Sequence, residues 1–446
     1  MPSFAVRNFG CRVNQAEAFA WADAFREKGL RLDEDWARSD VVVVNSCTLT
    51  GRAERDVRKF IRTVRRENPR SKIVVTGCYA ERAPAEIAGL PGVVAVLPQS
   101  AKDGLAERLM AIGAARGMGP EQAHGSLTGR ASISTDEAIT PSLIENMPGD
   151  DEDAGYRARG WLKVQDGCDN RCAYCIIPSV RGRSRSVPAS DIARAARDLA
   201  GRGFQEIVLA GIHLSSYGED LAPRSSLVEL LQALSEAGDA VRYRLSSLDP
   251  RKTDAGLMSS VASADRICPH FHFSLQHASD RILRLMGRPV DPGSYDTILD
   301  KMRRLSADAA LGADLIVGFP GETDGDFDEL KTFVERSPLT YAHVFSYSSR
   351  PGTPAAKRRQ VPSVVVTERA KALRHLAALK EYGFRRRFVG RTLEAVVIGR
   401  NRAATEVLTG NFMRVQVPAC EAATGKLVRV AVRSVLPRRT EGEILP

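Results

Sequence analysis

Over its first hundred residues the chain alternates short apolar runs with stretches whose apolar residues recur every three or four positions. "FAVRNFG", "VVVVNS", "KIVVTG" and "VVAVL" read as strands, while Gln15 to Lys28, Arg52 to Arg66 and Pro84 to Leu90 carry the helical period. This βαβαβαβ pattern predicts an α/β fold with a doubly wound parallel sheet. The rhythm lapses between about Ser100 and Gly155, where "MGPEQAHGSLTGRASISTDE" and the acidic "PGDDEDAG" predict a helix and then a linker. It resumes at Trp161, with strands expected at "WLKVQDG", "EIVLAGI", "VRYRLSSL", "HFHFSLQ", "ADLIVGF" and "AHVFSYS". Six βα units predict an incomplete α/β barrel. Beyond the basic helical stretch Glu368 to Phe388, "TLEAVVIGR", "TEVLTG", "FMRVQVP" and "KLVRVAVRSV" predict a small β-barrel of the kind that binds nucleic acid. The expected units are 1–105, a helix and linker at 106–153, a barrel at 154–383 and the tail at 384–446.

A chain of 446 residues fits roughly two to four such domains. No apolar run reaches the ~18 residues that span a bilayer, and "MPSFAVRNFG" lacks the layout of a signal peptide, so a cytoplasmic protein with no membrane partner is expected. In a reducing compartment, eight cysteines near Gly and Asp turns point to metal ligation rather than a disulfide framework. The net charge of +10 suits a nucleic-acid partner, although composition alone does not require one.

Cys11, Cys47 and Cys78 each follow a predicted strand of the first sheet, in "RNFGC", "VVNSC" and "VVTGC". Strand ends of a parallel sheet share one edge, where such folds bind ligands, so three thiols distant in sequence converge. Thiolate-only ligands suit an iron-sulfur cluster or zinc; three small buried cysteines are the bland alternative. "DGCDNRCAYC" sets Cys168, Cys172 and Cys175 in one loop, a C-x3-C-x2-C run that leaves one iron of a 4Fe-4S cubane without a protein ligand. Zinc in a structural site calls for four ligands, and no fourth follows closely. Cys268 and Cys420 have no thiol neighbour in sequence and are expected to be structural.

The C-x3-C-x2-C loop, with an aromatic before its last cysteine, resembles the radical S-adenosylmethionine superfamily. "NFGCRVNQAEA", "NSCTLTG", "TGCYAE", "QDGCDNRCAYCIIPSVRGRSRS", "AGIHLSSYG", "RLSSLDP", "ADLIVGFPGET" and "HVFSYSSRPGTPAA" resemble the methylthiotransferases within it, most closely the branch acting on threonylcarbamoyladenosine in tRNA. The tail is similar to that family's TRAM domain, a small RNA-binding barrel. The resemblance implies two 4Fe-4S clusters. One, on Cys168, Cys172 and Cys175, binds S-adenosylmethionine and yields a 5′-deoxyadenosyl radical; the other, on Cys11, Cys47 and Cys78, carries the sulfur for carbon 2 of the adenine. It also implies the tRNA anticodon loop as substrate, with no role for DNA, and an electron donor such as flavodoxin or ferredoxin. Sister enzymes acting on isopentenyladenosine or on a ribosomal-protein aspartate share this chemistry, and a non-catalytic iron-sulfur RNA-binding protein is the rival of another class.

Tyr174 matches the superfamily aromatic that lies against the cofactor adenine. Gly211, His213, Ser274, Gln276, Gly318 and Glu322 fall at or just past strand ends and are candidates for the cofactor rim. Arg181, Arg183 and Arg185 are expected to meet tRNA phosphates, and Phe412 a base. The arginines from Arg52 to Arg66 read as a solvated helix face. Where the family carries Ser-Gly after the glutamine, this chain has His277 and Ala278, a change expected to narrow the cofactor pocket or add a donor.

Overall fold

The computed structural model describes residues 3–33, 35–114, 158–236, 241–291, 293–400 and 404–446. Most of the expected linker lies outside the described residues.

Strands β1 (Ser3–Asn8), β2 (Arg31–Leu32), β3 (Val41–Ser46), β4 (Lys72–Gly77) and β5 (Val93–Val96) form an all-parallel sheet in the order β2-β1-β3-β4-β5. Helices cover both faces, so β3 is buried along its whole length and reads as an unbroken valine run. On one face the helix Gly51–Glu67 lays Val57, Ile61 and Val64 on Val42, Val44 and Val75, which turns its arginines outward. On the other, the helix Arg12–Glu27 is clamped between this sheet and the next unit, with Phe19 set 5.9 Å from Trp161. One apolar core therefore runs from Phe4 through to Leu373.

The central unit contains β6 (Gly160–Asp166), a two-residue antiparallel β7 (Arg185–Ser186), β8 (Glu206–Gly211), β9 (Arg242–Leu245), β10 (His270–Gln276), β11 (Ala310–Val317) and β12 (Tyr341–Ser346). Its six long strands run parallel in two arcs, β6-β8-β9 and β10-β11-β12, stitched by bridges from Tyr243 to Ile267 and from Leu248 to Phe273. This is the partial α/β barrel expected from the six βα units. Phe271, Phe273 and Leu275 of β10 pack outward into the helical core, which turns His270, His272, Ser274 and Gln276 toward the lumen.

After the helix Ser363–Arg386, strands β13 (Thr392–Arg400), β14 (Ala404–Thr409), β15 (Arg414–Pro418), β16 (Leu427–Leu436) and β17 (Arg439–Leu445) close into a barrel around Val397, Val407, Val415 and Val430. Buried Glu206 secures it to the central unit. Its carboxylate accepts from Arg242 and Arg244, each at 2.7 Å; Arg242 also donates to Leu408 O at 3.2 Å, and Arg244 to Thr409 O and Gly410 O at 3.1 and 3.0 Å. Burial alone would raise the Glu206 pKa, but Arg244 and Arg242 outweigh it and hold the carboxyl far below its usual range.

This seam corrects one expectation. Phe412 is not presented to a base: its ring stacks on His270 at 4.1 Å and lies 5.4 Å beneath the Arg244 guanidinium, filling the gap between the two barrels.

Candidate metal centres

The first sheet changes winding direction between β1 and β3, and Cys11, Cys47 and Cys78 follow the adjacent strands β1, β3 and β4 at that switch point. Glycine makes the convergence possible. Gly10 has φ +106°, and a Cβ there would sit 2.6 Å from Cys47 Sγ, so no other residue lets the Cys11 turn cross so close. Asn14 braces the turn by donating to Phe9 O at 2.8 Å and Ser46 O at 3.2 Å. N–H groups of Leu49 and Gln99 point at the sulfurs of Cys47 and Cys78, at 3.5 and 3.4 Å. Burial pushes the Cys47 thiol up, followed by the nearby charges of Cys11 and Cys78; burial raises Cys11 too, against the pull of Arg181.

The second triad sits in the loop after β6. Gly167, at φ +70°, brings Cys168 round where a Cβ would lie 1.9 Å from Arg183 O. The loop is pinned from three sides: Cys168 N–H donates to Gly182 O at 3.1 Å, Ala173 N–H to Met286 O at 2.8 Å, and Ala355 N–H to Ala173 O at 2.8 Å. Burial raises the Cys175 thiol to about 12 and drives the Tyr174 phenol up as well.

Behind the loop lies a network of which sequence reasoning singled out His213 and Ser274 but neither Asp249 nor Arg288. Arg288 reaches Cys172 Sγ at 3.8 Å and donates to Asp249 at 3.0 Å and Ser274 O at 2.8 Å. Asp249 also meets His213 Nε2 at 3.0 Å, and the same nitrogen contacts Asn170 of the cysteine loop at 3.0 Å. Burial would protonate Asp249, but His213, Arg251 and Arg288 keep it a carboxylate. The "SSLDP" turn was the available signal for Asp249; nothing in sequence pointed to Arg288.

The two triads share a wall. Cys78 packs in one apolar cluster with Ile176, Ile177 and Val180, and Cys168 and Cys175 lie against it. Arg181 crosses this wall, which corrects its expected role at tRNA phosphates. It is 4% exposed and donates to Cys78 Sγ at 3.2 Å, Glu17 at 2.9 Å and Asp166 at 2.8 Å, and also to Asn14. Burial opposes ionisation of Glu17, yet Arg181, Lys102 and Lys163 hold its carboxyl well below the usual range. Arg183 and Arg185 are 90% and 47% exposed at the side chain and stay open to an anionic partner.

The remaining sequence candidates divide. Ser274 and Gln276 face the lumen; Gln276 adopts φ +73°, uncommon outside glycine. Gly211 packs against Leu214, and a Cβ at Gly318 would strike Val366 at 2.4 Å, so Gly318 serves helix packing. Glu322 is spent inside the protein, accepting from Gly318 N–H at 2.7 Å and from Arg369 at 2.6 Å. His277 is fully buried and accepts from Ser279 N–H at 3.0 Å, a helix-start brace. Cys268 lies 3.8 Å from Glu206 and Cys420 3.6 Å from Thr405, both away from the triads.

These residues fit iron-sulfur clusters better than single ions. A lone zinc at ~2.3 Å from each thiolate holds its sulfurs ~3.8 Å apart. Among the described residues, neither cysteine triad brings all three sulfurs within 4.8 Å of one another. Three separated thiols, each in a glycine-made or pinned turn with N–H donors nearby, suit a larger inorganic core.

Residues 162–334 match the model of the Radical SAM superfamily, and residues 3–98 that of an uncharacterized protein family, UPF0004. The fold resembles that of the radical S-adenosylmethionine methyltransferase TsrM from Kitasatospora setae, solved with cobalamin and a 4Fe-4S cluster, at TM-score 0.57 and 14% identity over 80% of this chain and 77% of that one. The class is thus a radical S-adenosylmethionine enzyme. The chain is 34% identical to the threonylcarbamoyladenosine tRNA methylthiotransferase MtaB of Thermotoga maritima over 88% of its length and 85% of the relative. It is 28% identical to the tRNA-2-methylthio-N(6)-dimethylallyladenosine synthase of Desulforamulus reducens, over 99% and 95%. The chain belongs to the radical S-adenosylmethionine methylthiotransferase family. No helix among the described residues is long and apolar enough to cross a membrane.

Proposed function

We propose that this protein attaches a methylthio group to carbon 2 of threonylcarbamoyladenosine beside the anticodon of tRNA, using a 4Fe-4S cluster on each cysteine triad. The observation that carries the reading is the shared wall: Cys78 lies in the same apolar cluster as Cys168 and Cys175. A site that generates a radical and a site that holds sulfur are useful together only if both reach one substrate atom. When bound, the cluster at Cys168, Cys172 and Cys175 with S-adenosylmethionine supplies a carbon radical strong enough to take the unactivated hydrogen of the adenine ring.

The chain's own work is placement. Arg288, held by Asp249, keeps a positive charge behind Cys172. Arg181 ties the sulfur-bearing sheet to the barrel mouth, and the apolar side chains beside Cys78, Cys168 and Cys175 shield the two triads from bulk solvent. Tyr174, Ser274 and Gln276 remain the candidates for contact with the cofactor. Arg183, Arg185 and the C-terminal barrel are the candidates for the RNA backbone. A soluble one-electron donor of the flavodoxin or ferredoxin kind, in the cytoplasm, completes the reading. The threonylcarbamoyl substrate is favoured by 34% identity to the MtaB relative against 28% to the dimethylallyl one.

The test offers anaerobically reconstituted protein tRNA carrying either threonylcarbamoyladenosine or isopentenyladenosine and reads the nucleosides by mass spectrometry. Methylthio product on the first alone is expected. Product on the second alone reassigns the substrate, and absence of S-adenosylmethionine cleavage by fully loaded protein would reduce the chain to a binding protein.

A further inference from the structure

A third cluster of ligating side chains lies on the inner wall of the central barrel, apart from the cysteines. His272, Asp314 and His343 stand on the neighbouring strands β10, β11 and β12, with Asp314 and His343 directly opposite in the parallel register. Their ligand atoms all lie within 4.8 Å of one another, the one such group among the described residues. His272 Nε2 is 3.0 Å, and His343 Nδ1 3.4 Å, from the same oxygen of Asp314. A tetrahedral zinc site with ligands at ~2.0–2.1 Å has donor-to-donor edges of ~3.3 Å, between these two spacings.

The surroundings are built for ligation. Tyr341 lies over Gly312, where a Cβ would meet its ring at 2.1 Å, so this glycine is needed to admit the ring. The Tyr341 hydroxyl contacts His272 Nδ1 at 2.8 Å and His270 Nε2 at 2.7 Å, which fixes the His272 ring with Nε2 aimed at Asp314. A hydrogen-bonded distal nitrogen is the usual support of a metal-bound imidazole. Two imidazoles and a carboxylate form a borderline donor set that suits zinc, cobalt or ferrous iron rather than calcium or magnesium. His343 is half exposed at its side chain, so the side facing the lumen stays open. The positive charge of Arg12 near His272 opposes a cation; the Asp314 charge offsets it.

We propose that His272, Asp314 and His343 bind one divalent transition-metal ion in the lumen of the central barrel, with coordination positions left open to solvent or substrate.

The test uses the holoenzyme, because reconstituted clusters occupy the cysteines that would otherwise capture the probe. Anaerobic protein is titrated with cobalt(II), desalted and assayed for metal by mass spectrometry and for visible d-d absorption. One additional cobalt per chain is expected, with tetrahedral bands but no thiolate charge-transfer band, and its retention falls at least tenfold in His343→Ala and in Asp314→Asn. His343→Ala removes a half-exposed side chain, so it should fold; unchanged circular dichroism and iron content confirm that. Failure of wild type to retain cobalt, retention undiminished in both variants, or a thiolate charge-transfer band would each overturn the proposal. The readout is independent of methylthiolation, so it stands or falls apart from the substrate assignment.

Discussion

Replacing Arg181 by Met keeps most of the side-chain volume and deletes the charge that the first sheet and the cysteine loop share. In the native protein Glu17 and Asp166 both lean on it, and its side chain is 1% exposed. Removing one partner of a buried ion pair costs about 3–5 kcal/mol. Here the stranded carboxylates keep other partners, since Lys102 lies 2.5 Å from Glu17 and Lys163 lies 3.4 Å from Asp166. The low end, about 3 kcal/mol, is therefore expected. At about 2–4 °C per kcal/mol for a domain of 150–250 residues, and less for a larger cooperative unit, the melting temperature of the reconstituted protein should fall by about 6 °C. The chemistry should split as well. Cys78 loses the guanidinium donor at 3.2 Å, while Cys168, Cys172 and Cys175 keep their pinned loop. Cleavage of S-adenosylmethionine should persist, and methylthiolated nucleoside formed per cleavage should drop roughly tenfold, the low end of the worth of one charge-assisted hydrogen bond, about 1.5 kcal/mol. Calorimetry and product-to-methionine ratios read both. A variant that melts within a degree of wild type and keeps its ratio would refute the bridging role.

Glu206→Gln leaves Arg244 without its counter-charge and Arg242 with Glu394 alone, and should destabilise the seam by about 3 kcal/mol, the low end for a broken buried pair, seen as faster proteolysis of the C-terminal barrel. Glu206 has a depressed pKa in the folded chain, so its contribution is complete above its ordinary value of 4.5 and is lost as pH falls toward the folded value; the gap between wild type and variant should narrow from pH 6 to pH 3. Gly10→Ala puts a methyl 2.6 Å from Cys47 Sγ at a left-handed φ, and should halve the iron content while sparing S-adenosylmethionine cleavage. Arg183→Ala combined with Arg185→Ala should weaken tRNA binding and flatten the log-log salt dependence by about 1.4, two single-strand phosphate contacts' worth; an unchanged slope would remove both from the RNA surface.

The strand-end cysteines were legible because a parallel sheet gathers its C-terminal ends on one edge, so periodicity alone places Cys11, Cys47 and Cys78 together. The C-x3-C-x2-C loop was legible because its geometry is local. Arg181 and Phe412 were misread for the opposite reason. Both looked like exposed basic and aromatic residues beside a site, yet their partners Glu17 and His270 lie far off in the chain and on different strands or helices. The same holds for Arg288 behind Cys172, and for His272, Asp314 and His343, which no single stretch of sequence brings into register.

Arg242 and Arg244 hold the C-terminal barrel by the carbonyl oxygens of Leu408, Thr409 and Gly410, which any residue would present. The attachment thus depends on the path of the turn after β14 and on the Phe412 ring seated beneath Arg244. Such a mount works as an interchangeable handle: the outer face of the barrel is free to be rewritten while the reaction chamber keeps its alignment.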